Sequence, residues 1–168
     1  AIENFRRALS LFPDFERAHR SLALALFRAG ETKASIPHWQ RVLQLGGGDD
    51  QSYGLLAYAL LQEEDWVASA RAFEEALLFR PKSKDLRRGL AQAWTRSGRT
   101  NEAATLVESM IRGEPENSDL YKLRANLHLQ EDETEAAIAN LETAAALGAA
   151  SGSLYALLGG LYLNEDLA

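Results

Sequence analysis

Apolar positions along the chain repeat with a spacing of 34 residues, and the stretch Trp66–Pro81 (WVASARAFEEALLFRP) shows the pattern most completely. Phe73 lies in a column with Phe5, Trp39, Val107 and Leu141; Ala76 lines up with Ala8, Val42, Met110 and Ala144; Pro81 lines up with Pro13, Gly47, Pro115 and Ala149. No insertion or deletion disturbs this register. A fixed period of this size points to stacked supersecondary units that each touch only their neighbours. Within each period the apolar residues fall three and four apart, the spacing of one helix face. Ile2, Phe5, Leu9 and Phe12 form the first such stripe. Pro13 ends it, because a residue preceding proline is pushed out of helical torsions.

The pattern predicts ten helices: Ala1–Phe12, Glu16–Ala29, Thr32–Leu45, Asp50–Gln62, Trp66–Phe79, Lys84–Ser97, Thr100–Arg112, Ser118–Gln130, Thr134–Leu147 and Gly152–Leu163. Connections this short force consecutive helices to lie antiparallel, as hairpins. Asp50, Thr100, Ser118 and Thr134 are expected to cap helix starts by accepting from orphan amides. Gly30 and Gly98 sit where a left-handed residue closes a helix. Glu64, Asp132 and Asp166 hold the same column, and their turns are expected to close with other torsions. The first helix of each hairpin has its own columns: Leu22, Leu56, Leu90, Arg124, Leu158; Ala23, Ala57, Ala91, Ala125, Gly159; His19, Tyr53, Arg87, Tyr121, Tyr155; and Leu26, Leu60, Trp94, His128, Tyr162. Small residues let helices approach while the large ones fill the groove between them.

This pattern of large-x2-Leu-Ala-x2-large, then Ala-x3-aromatic, then Pro resembles the tetratricopeptide repeat, in phase along the whole chain. The resemblance implies an all-α, right-handed α-solenoid of antiparallel helix hairpins. It divides the chain into complete repeats at 16–49, 50–83, 84–117 and 118–151, flanked by half-repeats at 1–15 and 152–168. Chance periodicity in an alanine-rich bundle does not produce five in-phase copies. A pentatricopeptide array, the nearest rival, would bind RNA, which sits poorly with an acidic chain. Beginning and ending in mid-repeat suggests a segment of a longer array. Ile2, Phe5, Leu9 and Phe12 would then lack a partner helix, Tyr155, Leu158 and Tyr162 would face no successor, and end-to-end self-association is expected.

Three irregularities interrupt the pattern. Gly46, Gly47 and Gly48 replace the proline punctuation and predict a loose joint, capped by Asp49 or Asp50. Pro37, inside the third helix, removes one internal hydrogen bond and predicts a distorted first turn. Arg87 and Arg124 stand in packing columns; their stems are expected to pack while their heads reach water or a carboxylate, with an anion site at Arg124 as the sharper alternative.

Composition narrows the function. The net charge of −6 argues against broad adhesion to nucleic acid or anionic lipid. There is no cysteine, which excludes disulfides, thiolate metal sites and cysteine nucleophiles and is at most a faint hint of export. No apolar run approaches the ~20 residues of a membrane span, and the compartment stays open. His19, His38 and His128 lack a second histidine or carboxylate at metal-ligand helical spacing, and Gly46–Gly48 lacks the Lys-Ser/Thr of a phosphate loop. Glu131-Asp132-Glu133 with Glu135 reads as a solvated turn without calcium-loop spacing. No catalytic, metal or cofactor site is expected, and the chain reads as a non-enzyme.

What the first helices do not use for packing forms a candidate partner-binding groove: Arg17, Arg20, Leu24, Phe27 and Arg28; Gln51, Gly54, Tyr58, Leu61 and Gln62; Asp85, Arg88, Gln92, Thr95 and Arg96; Asp119, Lys122, Asn126, Leu129 and Gln130. This face carries +4 in a chain of −6, leaving −10 elsewhere, an arrangement that steers an anionic segment to one face. Phe27 and Tyr58 would anchor apolar groups, and Gln62, Gln92, Asn126 and Gln130 would serve an extended backbone. The resemblance suggests comparison with the family's carboxylate clamp. Lys122 and Asn126 match its opening pair and Arg88 and Gln92 do so loosely, but Leu157 or Leu123 stands where asparagine is needed, so chaperone-tail binding is not expected. The reading is a scaffold binding an acidic or polar protein segment. The alternatives are an assembly spacer of a bacterial secretion or exopolysaccharide-export machine, with contacts on the acidic convex face or the ends, or an accessory domain of an enzyme.

Overall fold

The computed structural model describes residues 1–165. They form α1 (Ile2–Leu11), α2 (Glu16–Arg28), α3 (Thr32–Gln44), α4 (Asp50–Gln62), α5 (Trp66–Phe79), α6 (Lys84–Arg96), α7 (Thr100–Gly113), α8 (Ser118–Gln130), α9 (Thr134–Ala144) and α10 (Gly152–Glu165). The predicted helices are present within a few residues at their ends. The exception is the ninth, where a π-helical turn, Ala145–Ala149, follows α9 and contains Gly148 at φ +92°. Among the described residues there is no strand, and no helix is long and apolar enough to cross a membrane. The chain divides into two compact units, Ala1–Ala93 and Trp94–Ala168, with the division falling inside α6.

In the first unit α2 packs on α3, α4 on α5, and α3 on α4. The sequence columns are its core: Leu22, Ala23, Leu26, Trp39, Val42, Ala57, Phe73 and Ala76 are buried. Ser69 Oγ donates to Ala57 O at 2.8 Å, so a buried hydroxyl ties α5 to α4. Phe73 meets Tyr58 edge-on, ring centroids 4.9 Å apart. Gly89 lies against the same ring, where a Cβ would stand 2.3 Å from Phe73 Cζ, so the close approach of α6 requires glycine. In the second unit Ala125, Ala137, Ile138, Leu141, Leu154 and Leu158 form one cluster. Leu158, in the packing column of Leu22, Leu56 and Leu90, belongs to this core.

The hairpin turns close alike, which corrects one expectation. Leu26, Leu60, Trp94 and His128 each offer their carbonyl to the amide five residues on, those of Glu31, Asp65, Arg99 and Glu133. This six-to-one bond needs a left-handed residue just before it. Gly30 and Gly98 supply it at φ +79°, but so do Glu64 at +62° and Asp132 at +58°. The repeated hydrogen bond imposes the torsion on non-glycine residues too, so these turns do not close differently. Asp166 lies outside the described residues.

The caps also shift by one position. Asp50, Thr100, Ser118 and Thr134 are the first helical residues, and Asp49, Arg99, Asn117 and Glu133 occupy the cap positions. Asp49 accepts from the Ser52 amide at 2.7 Å and Ser52 Oγ accepts from the Asp49 amide at 3.1 Å, a reciprocal capping box. Asn117 accepts from the Asp119 amide, whereas Arg99 and Glu133 make no side-chain cap. α3 runs on through Pro37 without ending.

The triple-glycine loop is tied down rather than loose. Gly46 takes φ +85°. A Cβ at Gly47 would stand 2.7 Å from Glu16 Oε1 and 2.8 Å from Val42 Cγ1. Gly47 N donates to Val42 O, and Gly47 O accepts from Arg20 at 2.8 Å. The glycines therefore serve a left-handed torsion and a close backbone approach.

Candidate functional site

In the first unit the predicted face lies on α2, α4 and the start of α6. Arg17 and Arg28 are exposed on α2, eleven residues or about 16 Å apart along the axis, with half-buried Leu24 and Phe27 between them. Neither arginine has an ion-pair or hydrogen-bond partner among the described residues. Arg20 differs. Its Nε donates to Glu16 at 2.9 Å, one terminal nitrogen to Asp49 at 2.9 Å, and the other to Gly47 O. Burial works against its charge, but the bonds to Glu16 and Asp49 outweigh that and raise its pKa. All three guanidinium nitrogens are occupied, so Arg20 is a clasp between α2 and the α3–α4 loop.

Beside this face, Asp50, Gln51, Gly54, Leu55, Tyr58, Arg80, Ser83, Asp85 and Leu86 line a cavity of about 430 Å³. Gly54 opens it by having no side chain, and Tyr58, Leu55 and Leu86 make its apolar surface. The Tyr58 hydroxyl donates to Asp85 O at 3.0 Å; burial, then the Asp85 charge, pushes its pKa up. Arg80 pairs with Asp50 at 3.1 Å and Arg88 with Asp85 at 2.6 Å, so the cavity is polar rather than basic. Leu61 is half-buried, and Gln62 accepts from Thr32 Oγ1 at 2.8 Å. Gln92 is exposed. Periodicity placed Gln51, Gly54, Tyr58 and Asp85 here, but Asp50, Leu55, Arg80, Ser83 and Leu86 were missed. Arg80 follows α5 and meets Asp50 only because the hairpin folds back, so no single-helix spacing marks the pair.

In the second unit Arg96, Asn126 and Gln130 are exposed and Leu129 is half-buried, while Thr95 is buried. Lys122 pairs with Asp119 at 2.6 Å. Arg124 is half-buried: its Nε donates to Asn140 Oδ1 at 2.5 Å and its guanidinium lies 5.3 Å from the Tyr121 ring centroid. Arg87 is half-buried.

Two histidine arrangements were not visible in the spacing. His19 and His38, on facing helices of one hairpin, stand with their Nδ1 atoms 3.0 Å apart, and His19 Nε2 lies 2.8 Å from Pro13 O. The left-handed Asp132 turn brings His128, Glu131 and Glu133 together, their ligand atoms within 4.8 Å of one another. These are the residues that could hold a metal ion. His128 Nδ1 contacts Glu133 at 2.7 Å, and both glutamates are exposed.

Family models described as Tetratricopeptide repeat match residues 1–50 and 60–127. No curated protein matches the chain. Among solved structures, YrrB, a TPR protein with an unusual peptide-binding site, superposes with a TM-score of 0.81 at 14% identity, over 91% of this chain and 78% of that one. MamA 41-end from Desulfovibrio magneticus RS-1 gives 0.77 at 15% identity, over 90% and 85%. A tetratricopeptide repeat protein from Parabacteroides merdae ATCC 43184 gives 0.74 at 20% identity, over 98% and 64%. At these identities the likeness establishes the fold.

Proposed function

The chain belongs to the tetratricopeptide repeat family, and on that premise we propose that it is a non-catalytic scaffold whose first helices bind an extended polar or acidic segment of a partner protein. The carrying observation is the cavity between α4 and α6, whose lining residues Gln51 and Asp85 stand one and two 34-residue periods after Arg17 of α2, where Arg17 and Arg28 have no partner among the described residues. Its ion-paired rim and Tyr58 suit one polar or aromatic side chain of an extended segment. Arg17 and Arg28 supply the acidic preference, because a carboxylate meeting them displaces no internal partner. Arg20 is left out of the contact set, since binding through it would break the clasp. In the second unit Arg96, Lys122, Asn126 and Gln130 offer a comparable polar face. YrrB supports a peptide ligand by analogy only.

Peptides displayed on phage and selected against the full chain test this reading. Binders rich in Asp and Glu are expected, losing about tenfold in affinity, or ~1.4 kcal/mol, with Arg17→Glu/Arg28→Glu and again with Gln51→Trp, which blocks the cavity rim. Binders indifferent to both variants would reject it. The spacer alternative is favoured by one feature, an apolar cavity of about 510 Å³ formed by Trp94, Asn101, Glu102, Thr105, Leu106 and Ser109. Selected binders that protect α7 from hydrogen exchange would support that alternative instead.

A further inference from the structure

We propose that the His19–His38 pair is an acid-sensitive clasp that holds α1 and the Pro13 turn on the α2/α3 hairpin and lets them go as the pair takes up protons. This goes beyond the binding reading and does not depend on it. A carbonyl only accepts, so His19 Nε2 carries the proton that bonds to Pro13 O at 2.8 Å. In neutral His19 the Nδ1 atom is then an acceptor, and His38 Nδ1 donates to it across 3.0 Å. One chain of bonds thus joins the α1–α2 turn, α2 and α3.

Protons enter this chain in two steps. The first can go to His38 Nε2 and leaves the shared bond intact, but it places an imidazolium in a half-buried site. Burial, then His19, then Arg6 of α1 hold the His38 pKa below its ordinary 6.5. The second must go to His19 Nδ1, leaving two N–H groups facing each other. The surrounding charges do not relieve this. Arg6 of α1 is itself positive and lies 3.9 Å from both Glu3 and Glu31; Asp14 of the turn pairs with Arg41 of α3. Glu16 of α2 pairs with Arg20, and Asp50 of α4 with Arg80.

α1 is the element able to respond. It contains no buried residue, and its stripe of Ile2, Phe5, Ala8 and Leu9 is only half-buried, so its opening lies at the low end of the free-energy range. The closed state binds fewer protons than the open one. The clasp is therefore complete above the ordinary value of 6.5 and weakens as the pH falls through 6.5 toward the lowered pKa of His38.

Hydrogen exchange on the full chain at pH 7.5 and 5.5, corrected for intrinsic rates, tests the clasp. Amides of α1 and the Pro13 turn are expected to lose about tenfold protection per pH unit for each proton taken up, while those of α5 stay unchanged. His38→Gln, whose amide donates to neutral His19 Nδ1 and, turned over, accepts from protonated His19 Nδ1, should keep α1 protected at both pH values. Equal protection of α1 at the two pH values in the wild type, or the same acid loss in His38→Gln, would overturn the proposal. Should that variant fail to fold, the His38 ring signal of the wild type decides by NMR. Titration below 6.5 supports the clasp, and titration at or above 6.5 removes it.

Discussion

At the scale of single residues, two glycines on facing helices separate space from propensity. Alanine in place of either gains up to ~1 kcal/mol of helix propensity. At Gly54 the new Cβ would meet only the end of Leu86, Cδ2 at 3.1 Å, which can move. At Gly89 it would run into the Phe73 ring at 2.3 to 2.9 Å, and that ring is fully buried. Gly54→Ala should therefore leave stability unchanged or slightly raised. Gly89→Ala should cost ~1–3 kcal/mol through overpacking. Urea denaturation checks both, and in a Phe73→Leu background most of the Gly89→Ala cost should vanish. The columns that locate Phe73, Ala76, Leu22 and Ala23 were legible in the sequence because each packing demand recurs every 34 residues. The His19–His38 contact was not, because it depends on which residues a hairpin folds together. A usable signal exists: residues equidistant from a turn face each other. His19 and His38 flank a centre near Ala29 in the same way that Ala57 and Ser69 flank one near Glu63.

Among the elements, the turns and caps show where local propensity gives way to a repeated hydrogen bond. Glu64 and Asp132 do the work of Gly30 and Gly98 because the carbonyls of Leu60 and His128 need the amide donors five residues on. The sequence suggested the opposite at those turns, having only side-chain preference to go on. Gly46–Gly48 reads as a loose joint in the sequence, because glycine's backbone freedom is visible there while the Arg20 clasp is not. The clasp gives this loop a measurable share of stability. Asp49→Ala removes the capping box and should cost ~1 kcal/mol. Arg20→Met leaves Gly47 O and Asp49 short of charged donors and should cost ~1–3 kcal/mol. Lys122→Met, breaking an exposed pair with Asp119, should stay within ~0.5 kcal/mol, and chemical denaturation of the three variants ranks them. Acid should act on the same element. Burial alone would raise the Asp49 pKa, but its bonds from Ser52 and the charge of Arg20 hold it below 3.8. The loop's contribution is then present above pH 3.8 and lost as the pH falls through the lowered value.

For the whole molecule the question is how an acidic chain of net −6 would receive an acidic partner. The ion pairs of Arg20, Arg88 and Lys122 reduce the basic character of the first-helix faces, and on the proposed reading Arg17 and Arg28 are the cations that meet a carboxylate. Range decides which charge is felt. The Debye length is ~30 Å at 0.01 M salt and ~10 Å at 0.1 M. At low salt an acidic segment therefore meets the repulsion of the whole chain before it reaches the arginines. Raising salt toward ~0.1 M screens that repulsion while contacts within a few ångströms persist; toward ~1 M, where the Debye length is ~3 Å, those contacts weaken as well. Association measured by stopped-flow against salt should pass through a maximum near ~0.1 M for an acidic peptide. A neutral peptide docking in the α4/α6 cavity should show a flat response. With Arg17→Glu/Arg28→Glu the fall at high salt should disappear, because only the repulsive part remains to be screened. A rate that falls steadily from the lowest salt would instead mean that a positive field extends well beyond these two side chains, and that the partner's acidic groups are received over a broader surface.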